Sequence, residues 1–270
     1  VDDTSTTKDF GPIADDYAFY EKHASEAAAD LRAYEPLVRA CVRCFGERVA
    51  PRTPLRLLDF GCGEGRFSRR FLTMAAVPPE QLQLTLVDPV AAYRRLAAAT
   101  LRPFALESAE VLHGLPPHPG ARFDLVLANH VFYYVPDLDG TLARILRSLA
   151  PSGLFLAAMA GTENVLFRLA IDFFALLGVP VPFHLGEEFE AAVRAATHDR
   201  YETCDVHFRL AFPDSEENRL RLLRFLLGEW FARVPRPELL AALDPYGAGD
   251  EIDMHVTHRH FTVAAGGGVV

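Results

Sequence analysis

Leu55-Arg56-Leu57-Leu58-Asp59-Phe60-Gly61-Cys62-Gly63-Glu64-Gly65-Arg66-Phe67 is the stretch on which the reading of this chain turns. Leu55, Leu57 and Leu58 form an apolar run that ends in an acid, three glycines follow at alternate positions, and Phe67 to Leu72 then carries apolar residues at helical spacing. The pattern predicts a buried strand, a tight turn and the start of a helix. Glycine tolerates positive φ and has no Cβ, so such a turn can fold sharply and lie against a ligand.

Leu82-Gln83-Leu84-Thr85-Leu86-Val87-Asp88 is a second apolar run closed by an acid. It lies about 20 residues beyond the glycines, where a nucleoside-binding βαβ unit places its ribose-binding carboxylate. Asp59 before Gly61-Cys62-Gly63-Glu64-Gly65 departs from the G-x-G-x-x-G of NAD binders. The loop resembles that of class I S-adenosylmethionine (SAM) methyltransferases. That resemblance implies an α/β fold: a Rossmann-like sheet with helices on both faces, N-terminal lid helices and a mostly helical insertion before the last strands.

The rest of the chain fits one domain. With 270 residues, half of them hydrophobic, it can bury a full core. A formal charge of −9 and a pI near 5.6 argue against nucleic-acid binding, which needs a basic face, and favour a small-molecule partner. No apolar run has the length of a membrane span, and Val1-Asp2-Asp3-Thr4 has no signal-peptide character, so a cytoplasmic protein, monomeric or weakly dimeric, is expected. The expected layout is a helical lid over 1–50, a SAM-binding core over 51–160, a substrate-side helical insertion over 161–250 and a final strand over 251–265. Cys41-Val42-Arg43-Cys44 has metal-like spacing, yet its neighbours Leu37, Val38 and Phe45 read as a helix facing the core, so free thiols are expected.

Taken in order, residues 1–12 read as a mobile arm. Tyr17, Tyr20, His23 and Glu26 lie on a helical segment that runs on to Val38, with a break expected near Pro36. A helix is expected over Ala91 to Leu101, and a short strand over Phe104-Ala105-Leu106. Ser108 and Ala109 follow where this fold presents groups to an adenine. Phe123 to Ala128 is an apolar strand whose exit residues Asn129, His130 and Val131 fall at the carboxyl edge of the sheet, where α/β folds bind ligands. A helix over Leu138 to Leu149 and a strand over Leu154 to Met159 complete the alternating part. Beyond Gly161 the pattern predicts helices over Val165–Leu177, Gly186–Ala196 and Asn218–Phe231, a strand from Tyr201 to Leu210, and a last strand from Met254 to Val263.

His255, His258 and His260 sit on that last strand. Only His258 and His260 share a face, and no carboxylate or cysteine cluster lies near them in sequence, so no metal site is expected.

Several segments resemble the histamine N-methyltransferase group of class I enzymes: His23-Ala24-Ser25-Glu26, Val87-Asp88-Pro89 and Tyr133-Tyr134-Val135-Pro136-Asp137. The resemblance implies a cofactor set of Gly61, Asp88, Tyr93, Ser108 and Asn129, extended by the neighbours Cys62, Gly63, Gly65, Pro89, Ala109 and His130, for SAM and its product S-adenosylhomocysteine (SAH). It gives Glu26 the contact with a substrate amine. His130 stands where that group has a glutamine, and the group's substrate-binding asparagine falls on Thr257 or a close neighbour. Tyr17, Tyr20, His23, Glu26, His130, Tyr133 and Thr257 are therefore the expected substrate residues, with Glu26, His130 and Tyr133 closest to the chemistry.

Methyl transfer to a nitrogen lone pair needs orientation and exclusion of water rather than a metal. The expected acceptor is an amine or imidazole nitrogen. An O-methyltransferase acting on a phenol or carboxylate is the rival within the class, disfavoured for an anionic acceptor by the charge of Glu26. A non-catalytic SAM- or nucleotide-binding module is the rival outside it.

Overall fold

The computed structural model describes residues 11–48, 53–105, 109–116 and 122–266. The elements are α1 (Ala14–His23), α2 (Glu26–Arg48), β1 (Leu55–Phe60), α3 (Arg66–Ala75), β2 (Leu82–Val87), α4 (Ala91–Leu101) and β3 (Glu110–Leu112). They continue with β4 (Phe123–Asn129), α5 (Leu138–Arg147), β5 (Leu149–Met159), α6 (Val165–Leu176), α7 (Gly186–Thr197) and β6 (Glu202–Pro213). The last are α8 (Glu216–Leu227), α9 (Arg236–Ala241), β7 (Gly247–Ala248) and β8 (Glu251–Ala264).

The strands form one sheet in the order β3-β2-β1-β4-β5-β8-β6, with β7 paired to β8. β1 to β5 are parallel, and β8 runs antiparallel between β5 and β6. Strands buried on both faces read as continuous apolar runs because adjacent side chains point to opposite layers. Leu57, Leu125 and Leu156 join Phe71, Leu101 and Tyr34 on one side. Leu58, Val126 and Phe155 join Ile145, Phe189 and Val193 on the other. A third apolar cluster packs α6 and α8 on β6 and β8, with Phe19 and Tyr20 of α1. Among the described residues no helix is long and apolar enough to cross a membrane.

Two local expectations are corrected. The N-terminal helices do not break at Pro36, which lies inside α2. A proline there removes one helical hydrogen bond, but Tyr34 and Val38 on either side are fully buried and packing holds the helix. The break falls at Ala24-Ser25, where Ala24 bridges Leu210 and the Ser25 N–H donates to the Arg209 carbonyl at 2.9 Å, pinning the junction to β6. The strand expected over Phe104-Ala105-Leu106 is likewise not formed at Phe104, and Leu106 lies outside the described residues. Arg102–Phe104 is a 3-10 turn containing Pro103, which has no N–H for a ladder, and pairing with β2 passes to Glu110–Leu112.

Candidate functional site

The glycine loop joins the carboxyl ends of β1 and β2. Gly61 and Cys62 donate their N–H groups to the Val87 carbonyl at 2.7 and 3.0 Å. Gly61 has φ of 79°, and a Cβ there would lie 2.1 Å from the Val131 side chain, so only glycine fits. Asp88 closes the loop from the β2 side, with its carboxylate accepting from the Gly63 N–H at 3.1 Å and the Val90 N–H at 2.8 Å. Burial raises the Asp88 carboxyl above its ordinary range, against those two bonds and the charge of Arg94. Beneath the loop, Ser68 donates its hydroxyl to Asp59 at 2.5 Å, and burial pushes the Asp59 carboxyl up to about 7.

A cavity of about 1030 Å³ opens from this loop. It reaches the upper end of the range for ligand pockets, with room for a nucleoside cofactor and a small second molecule. Its floor on the cofactor side carries Gly61, Cys62, Gly63, Asp88, Pro89 and Tyr93. The roof comes from the N-terminal helices through Tyr17, Tyr20 and Glu26, and the far wall from Phe167, Phe183 and Phe225. α1 is anchored over the opening by Asp16, whose carboxylate accepts from the Arg224 guanidinium at 2.9 Å, and by Tyr20 stacked on Phe225 at 4.7 Å.

At the exit of β4 the wall becomes polar. His130 takes a left-handed backbone, φ 56°, which is uncommon for a residue with a Cβ and turns its ring toward α2. His130 Nε2 lies 3.4 Å from Asp30 Oδ2 and 3.7 Å from Glu26 Oε1. Its Nδ1 is 3.1 Å from the Tyr133 hydroxyl, which accepts from the Ala160 N–H at 2.8 Å. Asp30 is fully buried. Its Oδ1 meets His258 Nε2 at 2.7 Å and His260 Nε2 at 2.8 Å, and its Oδ2 accepts from the Asn129 amide at 3.1 Å. The Tyr34 hydroxyl donates to the other side of that amide at 2.9 Å.

These contacts set the charges. Burial alone would raise the Asp30 carboxyl, but the His130 imidazole beside it and the contacts from His258 and His260 hold it well below the usual carboxylate range. Burial alone would lower the His130 imidazole, but the Glu26 charge and the Asp30 contact push it up to about 9. His260 is lowered, chiefly by burial. Burial raises the Tyr20 hydroxyl, and the charge of Glu26 raises it further.

Of the residues expected from sequence, the structure gathers Gly61, Cys62, Gly63, Asp88, Pro89, Tyr93, Asn129 and His130 with Tyr17, Tyr20, Glu26 and Tyr133 on one cavity. Gly65 lies off it, packed against Ala97 of α4, and Ala109 packs into the core beside β3. Ser108 lies outside the described residues. His23 faces β6, with Nδ1 3.1 Å from the Ala211 carbonyl. Thr257 points to the opposite face of β8, its hydroxyl 2.8 Å from His207 Nδ1, and its neighbour His258 takes the inward place. The sequence argument against a carboxylate near the histidines fails, because Asp30 arrives from α2, 228 residues away from His258. Asp30 itself was not foreseen, although it stands four residues after Glu26 and so shares its helix face.

A methyltransferase-domain family model matches residues 25–184. The ubiquinone biosynthesis O-methyltransferase of Rhodopseudomonas palustris strain TIE-1 is 32% identical over 121 residues, 43% of this chain and 44% of that protein. The trans-aconitate 2-methyltransferase of R. palustris strain BisB18 is 30% identical over 146 residues, 54% of this chain and 49% of that one. The chain thus spans about half the length of the curated relatives it matches. Two solved structures share the fold. The YcgJ protein of Bacillus subtilis has a TM-score of 0.52 at 14% identity, covering 83% of this chain and 97% of its own. The plantazolicin methyltransferase BpumL with SAH has 0.51 at 13%, covering 94% and 90%. The matched segment spans α2, the glycine loop, Asp88 and β4 together, and the chain belongs to the methyltransferase-domain family.

Proposed function

We propose that the chain methylates a hydroxyl oxygen of a small molecule with an aromatic or apolar body. The observation that carries this reading is the Glu26–His130 pair, 3.7 Å apart on the cavity wall. With the imidazole pushed up to about 9, His130 is cationic at neutral pH and offsets the Glu26 charge, so an ammonium group would meet a like charge there. A hydroxyl suits the pair: it can accept from His130 and donate to Glu26. When bound, SAM supplies a methyl carbon on a positively charged sulfur, open to attack by a lone pair. Glu26 receives the hydroxyl proton as the oxygen commits its electrons to the new bond, and His130 holds the oxygen in place meanwhile. Asp88 and the glycine loop hold the nucleoside end, Phe167, Phe183 and Phe225 hold the acceptor body, and α1 shields both from water. That the ubiquinone biosynthesis relative is named an O-methyltransferase supports the same class.

A nitrogen acceptor remains the second reading. It is favoured by the position of Glu26 on the cavity roof, where the histamine N-methyltransferase resemblance puts the amine contact. Purified protein given labelled SAM and a panel of phenols, alcohols, carboxylic acids, amines and imidazoles tests both. Label in alkali-stable ethers is expected, and label only in amines or imidazoles would overturn the oxygen reading.

A further inference from the structure

Two ring nitrogens in the polar wall have no hydrogen-bond partner among the described residues: His130 Nε2 and His258 Nδ1, both buried. A buried imidazole nitrogen without a partner is costly, and native interiors satisfy nearly all such groups. Both atoms face one carboxylate oxygen, Glu26 Oε1, at 3.7 and 3.9 Å. The three donor atoms lie within 4.8 Å of one another. We propose that Glu26, His130 and His258 hold a divalent first-row transition ion of the Zn²⁺ type, with its open coordination toward the cavity.

The donor set is the two-histidine, one-carboxylate combination of zinc sites that keep a position free for a ligand. Bonds of about 2.1 Å in a tetrahedral arrangement separate donors by roughly 3.4 Å, so binding closes the two distances to Glu26 by a few tenths of an ångström. The surroundings fix the ligands as a metal requires. His258 is fully buried, and its Nε2 lies 2.7 Å from Asp30 Oδ1, an acceptor. The proton therefore sits on Nε2 and Nδ1 presents a bare lone pair, the arrangement by which a carboxylate orients a metal-bound histidine. His130, cationic while the site is metal-free, exchanges its Nε2 proton for the ion and is held through its other nitrogen by Tyr133, itself fixed by the Ala160 N–H.

Asp30 with His258 and His260 also forms a compact trio, but it is already satisfied. Oδ1 takes both Nε2–H groups and Oδ2 takes the Asn129 amide. Asp30 thus supports the site from behind, and Glu26 supplies the charge. Glu26 and His130 border the cavity, so a ligand on the ion would come from the substrate side. That this ligand is the acceptor hydroxyl rests on the function proposed above; the ion itself does not. With the ion in place, the ion rather than a free Glu26 carboxylate would promote loss of the hydroxyl proton, as zinc does for bound water.

The test uses the tag-free full chain, dialysed against a chelator and titrated calorimetrically with Zn²⁺ and separately with SAH. One Zn²⁺ per chain is expected, weakened at least thirtyfold in Glu26→Gln and in His258→Asn, and unchanged in His255→Asn, on the exposed face of β8. Co²⁺ should give the absorption of a four- or five-coordinate site, lost in the same variants. Circular dichroism checks folding of His258→Asn; Glu26→Gln lies on the part-exposed wall and keeps the test sound if His258→Asn unfolds. Absence of stoichiometric Zn²⁺ binding, or binding undiminished in Glu26→Gln, overturns the metal site. SAH binding without Zn²⁺ would sink the ion and leave the methyltransferase reading standing, whereas Zn²⁺ without SAH would do the reverse.

Discussion

Glu26 and Asp30 stand one helical turn apart on α2, and their carboxylates reach the same imidazole nitrogen, His130 Nε2, at 3.7 and 3.4 Å. They differ in surroundings. Asp30 is sealed among donors, whereas the Glu26 side chain is 22% exposed and borders the cavity. One carboxylate is thereby a fixture of the fold and the other is free to meet a ligand.

Replacing Glu26 by Gln should separate the acceptor readings. For a hydroxyl acceptor, kcat should fall at least tenfold, about 1.4 kcal/mol, with KM little changed, because the lost function is proton acceptance. For an amine acceptor KM should rise instead. SAH affinity, measured by calorimetry, should be the same in the variant and the parent.

Asp88→Ala should reduce SAH affinity by an order of magnitude or more. Hydrogen bonds to a charged group contribute about 1.5 to 3 kcal/mol each, and the same carboxylate also holds the Gly63 and Val90 N–H groups that shape the loop. Unchanged SAH binding would remove Asp88 from the cofactor site.

Asp59→Asn should stabilise the protein at neutral and alkaline pH. With its carboxyl raised to about 7, folded Asp59 keeps its proton where the unfolded chain, ionising near 3.8, has lost it. Stability from this group is therefore full below about pH 4 and declines as pH rises to 7. Asparagine keeps an acceptor for Ser68 and cannot ionise. The Tm gain, a few degrees, should be larger at pH 7.5 than at pH 5 by calorimetric scanning.

Asp30→Asn should destabilise the fold by about 3 to 5 kcal/mol, since it removes one charge from a buried, fully hydrogen-bonded group and leaves its histidine partners behind. Chemical denaturation measures this. A loss under 1 kcal/mol would mean that the histidines, not the carboxylate, organise the cluster.

The N-terminal helices are expected to act as the cover of the site. Hydrogen exchange in residues 14–30 should slow when SAH and an acceptor are added together, beyond the protection given by the Asp16–Arg224 contact alone. Equal exchange in both states would argue against a moving cover.

The glycine loop and Asp88 were legible as one structural unit because they are local. Gly61 to Gly65 and Asp88 belong to one βαβ unit, and the spacing of strand, glycines and acid is dictated by that unit alone. The acceptor half was only partly legible. Glu26 and His23 stand in one short motif, His130 at the exit of a strand, and Thr257 was placed by resemblance without knowledge of register; of these the structure puts Glu26 and His130 on the cavity. A shift of one residue on a strand exchanges faces, and this is the difference between Thr257 and His258. Asp30 carried no signal beyond its four-residue offset from Glu26, because its partners enter from a distant strand. Pro36 misled for a related reason: local propensity favours a break, and packing of Tyr34 and Val38 overrides it.

β8 lies between β5 and β6, and it brings His258 and His260 to a helix near the other end of the chain. Since the ribosome delivers the chain from its N-terminus, the loop that receives the nucleoside can take shape while residues beyond 130 are still being made, but Asp30 has no histidine from β8 to meet until residue 258 emerges. For that interval a buried-to-be carboxylate faces open solvent, and docking of α2 onto the sheet is incomplete. The centre of the molecule is therefore among the last parts to be finished, and a chain stopped short of β8 would have a nucleoside loop with nothing behind it to act on an acceptor.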